Sequence, residues 1–225
     1  MSFPGRAKNA QPRLAAVSSR GSVRAVTLMK LHSLLRIAAL MAVLGLVPVS
    51  AATVGQPAPQ FSLPDLNGQT VSLEEHRGKV VVLEWVNPEC PFVVRHYRSG
   101  NMPALQREMR EQGVVWITVN SGSQGEQGDY APAAAMDWMK KVEASPTAYL
   151  RDTAGEVGRL YKAKTTPHMY VIDPQGTLVY QGAIDSNRRS HEGAENYVRA
   201  AVTAIKAGTA PAKTNTEPYG CGIKY

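Results

Sequence analysis

Cysteine is scarce in this sequence: 225 residues contain two, Cys90 and Cys221. Two cysteines allow a single disulfide, and a chain of this length can bury a core without depending on it. The sequence also has no glycine-rich phosphate loop, no Ser/His/Asp pattern and no internal repeat. It therefore offers no nucleotide site, and we expect no bound cofactor and no metal.

Acidic side chains are absent from the first 51 residues, which carry seven basic ones. The formal charge of +7 belongs to this segment, because the rest of the chain has 18 basic and 18 acidic side chains. A chain that is neutral once the segment is removed gives no indication of a nucleic-acid or membrane partner.

Residues 29–51 have the pattern of a secretory signal peptide. A basic start is followed by the apolar run Leu34–Val49, and small residues precede an expected cleavage after Ala51 or Ala52. The apolar run is interrupted by an arginine, and what remains is shorter than the roughly 20 residues that span a membrane. Residues 1–28 are predicted to be a dispensable leader or an extension upstream of the true start. The sequence therefore predicts an exported protein, periplasmic or secreted.

Residues 52–208 are predicted to form one α/β domain, followed by a cysteine-containing tail over 209–225. Apolar alternation and helical spacing predict the elements in chain order. The first half has a hairpin over 61–73, a buried strand at 80–86, a kinked or divided helix over 91–112 and a strand at 114–119. The second half has helices over 132–143 and 154–163 separated by a strand at 147–150, then a hairpin over 168–181 and a last helix over 198–205. A parallel pair joined by a helix and followed by an antiparallel hairpin and a closing helix is the thioredoxin-like arrangement, a mixed central sheet flanked by helices, here with an N-terminal β-hairpin.

Cys90 lies at the joint between a buried strand and a helix, in the stretch Leu83–Tyr97. Pro91 follows it, a residue favoured at the first position of a helix. Unpaired N–H groups and the helix dipole at such a position favour the thiolate over the thiol. Cys90 is therefore the strongest candidate nucleophile, and the alternative is a structural cysteine at a helix start.

The segment Ala58–Leu73 reads A-P-x-F-x-L-x-D-x-x-G-x-x-V-x-L and resembles the opening of the redoxin superfamily. Together with N-P-E-C-P-F-V around Cys90 and P-Y-G-C-x-x-K-Y at the C-terminus, it is similar to the peroxiredoxin-like (AhpC/TSA-type) branch of the thioredoxin fold. This resemblance covers about Val54–Ala207. It implies an antioxidant or thiol-disulfide oxidoreductase whose partner is a protein thiol or disulfide, or a small peroxide, with a reductant that the sequence does not name.

The resemblance also implies a cis-proline loop at Thr166-Pro167, opposite Cys90, where backbone groups would meet an extended partner chain. His168 beside it is either a proton shuttle or an ordinary strand residue. Glu89 would raise the pKa of the Cys90 thiol if its charge lies near the sulfur, or would accept a proton.

Two motifs of the superfamily are incomplete around Cys90. Val93 stands where a C-x-x-C motif has its second cysteine. Asn87 and Leu83 stand where the peroxidase motif P-x-x-x-T-x-x-C has its threonine and proline. We expect Asn87 to be an auxiliary residue of the site.

Cys221 lies on a glycine-flanked tail, and a flexible tail can bring a second thiol to Cys90. A Cys90–Cys221 pair would then cycle between dithiol and disulfide. A fixed disulfide that pins the tail and an intermolecular bond are the alternatives.

Two other classes of function stay open on the sequence alone. The first is a binding module that keeps the fold without turnover. The second is a copper carrier using Cys90, His96 and His168, although Val94 stands where such carriers have a second cysteine.

Overall fold

The computed structural model describes residues 51–225, and the leader and signal-peptide predictions lie almost wholly outside them. The strands of this part are, in order, Ser62–Pro64 (β1), Thr70–Ser72 (β2), Val81–Trp85 (β3), Val115–Asn120 (β4), Ala148–Arg151 (β5), Thr165–Thr166 (β6), His168–Ile172 (β7), Leu178–Gly182 (β8) and Cys221–Gly222 (β9). Its α-helices are Pro91–Arg98 (α1), Asn101–Glu111 (α2), Pro132–Lys141 (α3), Glu156–Leu160 (α4) and Tyr197–Lys206 (α5). None of these helices combines the length and hydropathy needed to cross a membrane.

The central sheet has five strands in the order β5-β4-β3-β7-β8. Strand β3 runs parallel to β4 and antiparallel to β7, with Val81 opposite Val115 on one side and Ile172 on the other. Every residue of β3 is buried, as expected for a strand covered on both faces. The mixed sheet, its flanking helices and the hairpin β1–β2 confirm the predicted α/β fold.

Side chains of β3 alternate between two apolar cores, one on each face of the sheet. Val82 packs in a core with residues of α1, α2 and α5. Leu83 and Trp85 pack on the opposite face with the N-terminal hairpin and with Tyr161, which follows α4. Burying each such side chain stabilises the fold by roughly 1.5–3 kcal/mol relative to leaving it exposed.

Gly100 divides the helical segment after Cys90 into α1 and α2. Its φ of +78° lies in the left-handed region, which glycine adopts without a steric penalty. The alternative of two helical pieces is therefore confirmed over one kinked helix.

The C-terminal tail is a packed part of the domain, whereas the sequence suggested a flexible segment. Its β9 pairs antiparallel with β6, and Asn215 forms a parallel bridge with Gln181 of β8. The difference has a physical reason. Two-residue strands that bind through backbone groups leave no apolar periodicity in the sequence.

Glu84, in the middle of β3, is a carboxylate that is 0% exposed. Its oxygens accept hydrogen bonds from the Tyr97 hydroxyl at 2.8 Å, the Trp116 indole at 2.8 Å, the Gln106 amide at 3.0 Å and the Thr118 hydroxyl at 3.3 Å. Burial raises the pKa of Glu84, and the four hydrogen bonds offset part of that rise. The carboxylate thereby ties α1, α2, β3 and β4 together inside the core.

We expect Glu84→Leu to lower the free energy of unfolding by about 3 kcal/mol or more, because four buried donors lose their acceptor. Glu84→Gln, which stays neutral, should cost less. The raised folded-state pKa of Glu84 makes the free energy of unfolding fall as pH rises above the ordinary glutamate value of about 4.3. Urea denaturation across a pH series measures both effects. A Gln variant with the same pH dependence as the parent would contradict this account of Glu84.

Candidate active site

Asn87 organises the turn that joins β3 to α1. Its side-chain oxygen accepts the N–H of Glu89 at 2.8 Å, and its amide donates to the carbonyl of Gln127 at 3.0 Å. The Cys90 N–H donates to the Asn87 carbonyl at 3.0 Å. Gly128 packs directly on the Asn87 amide, where a Cβ would lie 2.1 Å from the side-chain oxygen. These contacts fix Cys90 at the N-cap of α1.

Cys90 is 0% exposed and lies against the Thr166-Pro167 loop. Its thiol donates to the Thr166 carbonyl at 3.0 Å. The Thr166-Pro167 peptide bond is cis. The structure therefore places the Cys90 sulfur against the cis Thr166-Pro167 loop, the second feature that the sequence singled out.

Cys221 completes the site from the tail. In the pairing of β6 with β9 it stands directly opposite Thr166, and its thiol and backbone N–H lie near enough to the Cys90 sulfur to lower the pKa of that thiol. Both cysteines are free thiols, with Cys90 buried and Cys221 half-buried. Residues 131 positions apart in the sequence thus form one dithiol.

The two thiols have opposite tendencies to ionise. Burial raises the pKa of Cys90, but the Cys221 thiol, the Val93 N–H, the Thr166 hydroxyl and the Cys221 N–H favour the thiolate and bring the pKa below its ordinary value. Burial, and then the hydrogen bond to Cys90 and the charge of that sulfur, raise the pKa of Cys221 to about 11. Of the two thiols, Cys90 therefore ionises the more readily, and Cys221 holds its proton the more firmly.

The hydroxyl of Thr166 is buried and has no hydrogen-bond partner of ordinary geometry among residues 51–225. In the dithiol form the Cys90 S–H is directed to the Thr166 carbonyl instead. Ionisation of Cys90 supplies the hydroxyl with an acceptor, and a buried donor without an acceptor is costly. Thr166 therefore favours the thiolate through its side chain.

Tyr219 anchors the tail two residues before Cys221. The Tyr219 hydroxyl donates to Asp185, and His96 Nε2 lies 3.2 Å from the Tyr219 hydroxyl oxygen. Asn101 donates to His96 Nδ1 at 2.8 Å, so the proton of the neutral ring lies on Nε2. Burial, with the nearby charges of Arg95 and His191, lowers the pKa of His96 to about 4. The ring is therefore neutral around pH 7 and donates to Tyr219.

A second anchor lies beyond Cys221. The Ile223 N–H donates to the carbonyl of Lys164 at 3.1 Å, and the Tyr225 hydroxyl donates to that of Ala163 at 2.8 Å. The Tyr225 ring rests on Gly155, where a Cβ would lie 2.6 Å from it. The tail is thus held on both sides of its cysteine.

Gly220 makes the close approach of the tail possible. Its φ is +152°, and a Cβ there would lie 2.1 Å from the Thr166 carbonyl oxygen. Gly222, on the other side of Cys221, has no atom within 4 Å of the corresponding Cβ position. The two glycines that flank Cys221 therefore differ completely in their packing.

The remaining candidate side chains have other partners. Glu89 is exposed, and its carboxylate, after burial, contributes to the raised pKa of the Tyr130 phenol. His168 is buried, and its Nδ1 lies 3.1 Å from the Tyr170 hydroxyl. Burial and the charge of Lys164 lower the pKa of His168 to about 3, so the ring is neutral at physiological pH. Within residues 51–225, no hydrogen bond joins either side chain to Cys90 or Cys221, and their auxiliary role stays a prediction.

The copper hypothesis finds no support in the described part of the chain. Across residues 51–225, no three His, Cys, Asp or Glu side chains cluster closely enough to hold a metal ion. Both ring nitrogens of His96 are already engaged, one with Asn101 and the other with Tyr219.

Tyr219, Asp185 and Gly220 are the site residues that the sequence did not reveal. Asp185 and His96 are far from Tyr219 in the chain, so no local pattern connects them. The motif P-Y-G-C is the one available signal, because a glycine directly before a cysteine indicates a close backbone approach.

We expect Gly220→Ala to displace β9 from Thr166 and to expose Cys90, because the added methyl group would overlap the carbonyl oxygen. The modification of Cys90 by an uncharged alkylating reagent above pH 9, mapped by mass spectrometry, should become at least about tenfold faster, as expected when a buried thiol becomes accessible. Gly222→Ala is the matched control and should react like the parent. Equal rates for the two variants would show that Gly220 does not hold the strand against the site.

Comparisons with known proteins identify thiol-disulfide oxidoreductases among the relatives of this chain. The thiol-disulfide oxidoreductase ResA of Bacillus subtilis is 28% identical over 132 residues, which are 56% of this chain and 64% of ResA. The ResA of Halalkalibacterium halodurans is 39% identical over 72 residues, 32% of this chain and 40% of that protein. The chain thus aligns with less than two thirds of these relatives.

Two solved structures share the fold over most of the chain. An uncharacterized conserved protein from Geobacillus kaustophilus is 26% identical with a TM-score of 0.69, covering 77% of this chain and 92% of that one. A hypothetical protein from Sinorhizobium meliloti is 26% identical with a TM-score of 0.68, covering 78% and 96%.

A family model matches residues 54–181, more than half of the chain. That match begins ahead of the N-terminal hairpin and runs into β8, so it includes Cys90 and the Thr166-Pro167 loop but ends before the tail. The chain belongs to the AhpC/TSA family.

Proposed function

We propose that the protein is a thiol-disulfide oxidoreductase in which Cys90 is the attacking thiolate and Cys221 the resolving thiol. The observation that carries the proposal is that Cys221 stands opposite Thr166, whose carbonyl accepts the Cys90 thiol at 3.0 Å, with the pKa of Cys90 lowered and that of Cys221 raised. Relatives named thiol-disulfide oxidoreductase support the same class of reaction.

The reaction proceeds in two exchanges. The Cys90 thiolate attacks one sulfur of a substrate disulfide, forms a mixed disulfide and expels the other sulfur as a thiolate. The Cys221 sulfur then attacks the Cys90 sulfur and expels the second substrate thiolate. The two protons of the protein thiols end on the two substrate thiols. Two external thiols, or one dithiol, reverse the change and restore the pair.

The raised pKa of Cys221 keeps this thiol protonated, and so less reactive, before the first exchange. Part of the rise comes from the hydrogen bond to Cys90 and from the charge on its sulfur. Formation of the mixed disulfide removes that charge, so the pKa of Cys221 falls when its thiolate is needed. The resolving thiol therefore becomes more reactive after the first exchange.

A peroxide is the second candidate oxidant, because the chain belongs to the AhpC/TSA family. Cys90 would then attack a peroxide oxygen, form a sulfenic acid and release water or an alcohol, and Cys221 would displace the second oxygen as water. Asn87 and Leu83 stand where the peroxidase motif P-x-x-x-T-x-x-C has threonine and proline. The absence of these two residues favours a disulfide as the substrate. A fold that binds a partner without turnover is the remaining alternative.

Export remains part of the proposal. The pattern over 29–51 supports cleavage after Ala51 or Ala52, and a periplasmic or secreted location would permit a disulfide to form. Sequencing the mature amino end of the protein from its native cells tests this directly.

We expect Cys90→Ser to abolish the reaction with bis(2-hydroxyethyl) disulfide, because the attacking sulfur is lost. Cys221→Ser should react once and stop with a mercaptoethanol adduct on Cys90. Rapid mixing of the reduced proteins with the disulfide, followed by acid quenching and mass spectrometry, distinguishes the species. A parallel series with hydrogen peroxide tests the second oxidant.

A Cys90→Ser variant that consumes the disulfide at the parent rate would overturn the assignment of Cys90. Unchanged thiols in the parent with both oxidants would leave the non-catalytic binding module as the better account.

A further inference from the structure

We propose that β9 restricts the Cys90–Cys221 couple to low-molecular-weight disulfides, because it occupies the backbone edge that an extended polypeptide substrate would need. The inference rests on the proposed function and adds the class of substrate to it.

The edge in question is β6, next to the Thr166-Pro167 loop. An unpaired strand edge binds an extended chain by adding it as a further strand. Here Thr165 pairs with Gly222 and Thr166 with Cys221, all within one chain. The α-carbon of Gly220 lies so close to the Thr166 carbonyl that even a methyl group does not fit between them. A second polypeptide finds neither free backbone groups nor space at this edge.

Release of β9 would require the loss of contacts on both of its sides. Before Cys221, Tyr219 is held by Asp185 and His96, and further upstream the Thr216 N–H donates to the Gln181 carbonyl at 3.1 Å. After Cys221, the backbone is bound through Ile223 and Lys224, the latter accepting the Ser123 N–H at 2.7 Å. The strand is therefore a fixed part of the site.

A small disulfide has a shorter route to the sulfur pair. Cys221 is half-buried, whereas Cys90 is 0% exposed. The proposal requires only that side-chain motion, such as rotation of Cys221 about its Cα–Cβ bond, admits a small molecule to Cys90 while the β6–β9 hydrogen bonds stay intact. A cysteine within a polypeptide brings its flanking chain to the edge of β6, and this chain can bind there only if β9 is displaced.

The two exchanges are those of the proposed function, with a small organic disulfide as the oxidant. One protein dithiol and one R–S–S–R give one Cys90–Cys221 disulfide and two R–SH. Two electrons pass from the protein to the substrate, and the protons of Cys90 and Cys221 end on the product thiols.

Two probes with the same reacting bond test the inference. One is the mixed disulfide of 2-mercaptoethanol with N-acetylcysteine amide. The other carries the same mercaptoethanol disulfide on the central cysteine of an unstructured, uncharged nonapeptide. Pre-reduced protein is mixed with each probe, and formation of the Cys90–Cys221 disulfide is followed by acid quenching and mass spectrometry. We expect the small probe to react at least about tenfold faster, the factor that loss of one or two backbone hydrogen bonds produces.

Loosening the strand should remove this preference. Tyr219→Ala deletes the anchor to Asp185 while keeping Cys221, and the ratio of the two rates should fall towards one. Tyr219→Phe, which deletes the hydroxyl alone, is a milder variant for the case that the alanine variant does not fold. Met136→Ala, at an exposed position on α3, is the control and should keep the parent ratio.

Equal rates for the two probes in the parent would overturn the inference and leave the proposed function standing. An unchanged ratio in both Tyr219 variants, with circular dichroism of the native fold, would also contradict the role of the strand. Reaction with neither probe would remove the proposed function and this inference together.

Discussion

The contact of the Cys90 sulfur with Thr166 and Cys221 is the interaction on which the rest of the site depends. One sulfur receives donors from three sources: the start of α1, the loop before Pro167 and the tail. Such convergence stabilises a thiolate that burial alone would disfavour. The structure reaches it without the second cysteine of a C-x-x-C motif, because Cys221, near the C-terminus, pairs with Thr166 beside Cys90 instead.

Placing the second thiol on the tail has consequences for the whole domain. The tail must be positioned as exactly as a helix turn would position a neighbouring cysteine. It is held by backbone pairing to β6 and β8 and by the half-buried side chain of Tyr219. The same packing covers Cys90. In the proposed function, this packing limits which substrates reach Cys90.

The sequence predicts the fold and the central cysteine well, for physical reasons. Strand β3 is an apolar run with one acidic interruption, and Pro91 marks the start of α1, so both the strand and the helix start are local signals. The position of the C-terminal tail on the domain is not predictable from such local signals. Strand β9 has two residues, and the polar contacts of Tyr219 involve Asp185 and His96 from distant segments. Glu84 is a similar case, because its four donors come from α1, α2 and β4 and do not form a motif.

The most direct test of the account is the redox equilibrium of the Cys90–Cys221 pair. The protein is equilibrated in buffers of defined ratios of reduced to oxidised glutathione, acid-quenched, alkylated and examined by mass spectrometry. The account predicts an intramolecular Cys90–Cys221 disulfide that forms and disappears reversibly as the ratio changes. Thiols that stay free at every ratio, or a disulfide that no ratio reduces, would contradict it.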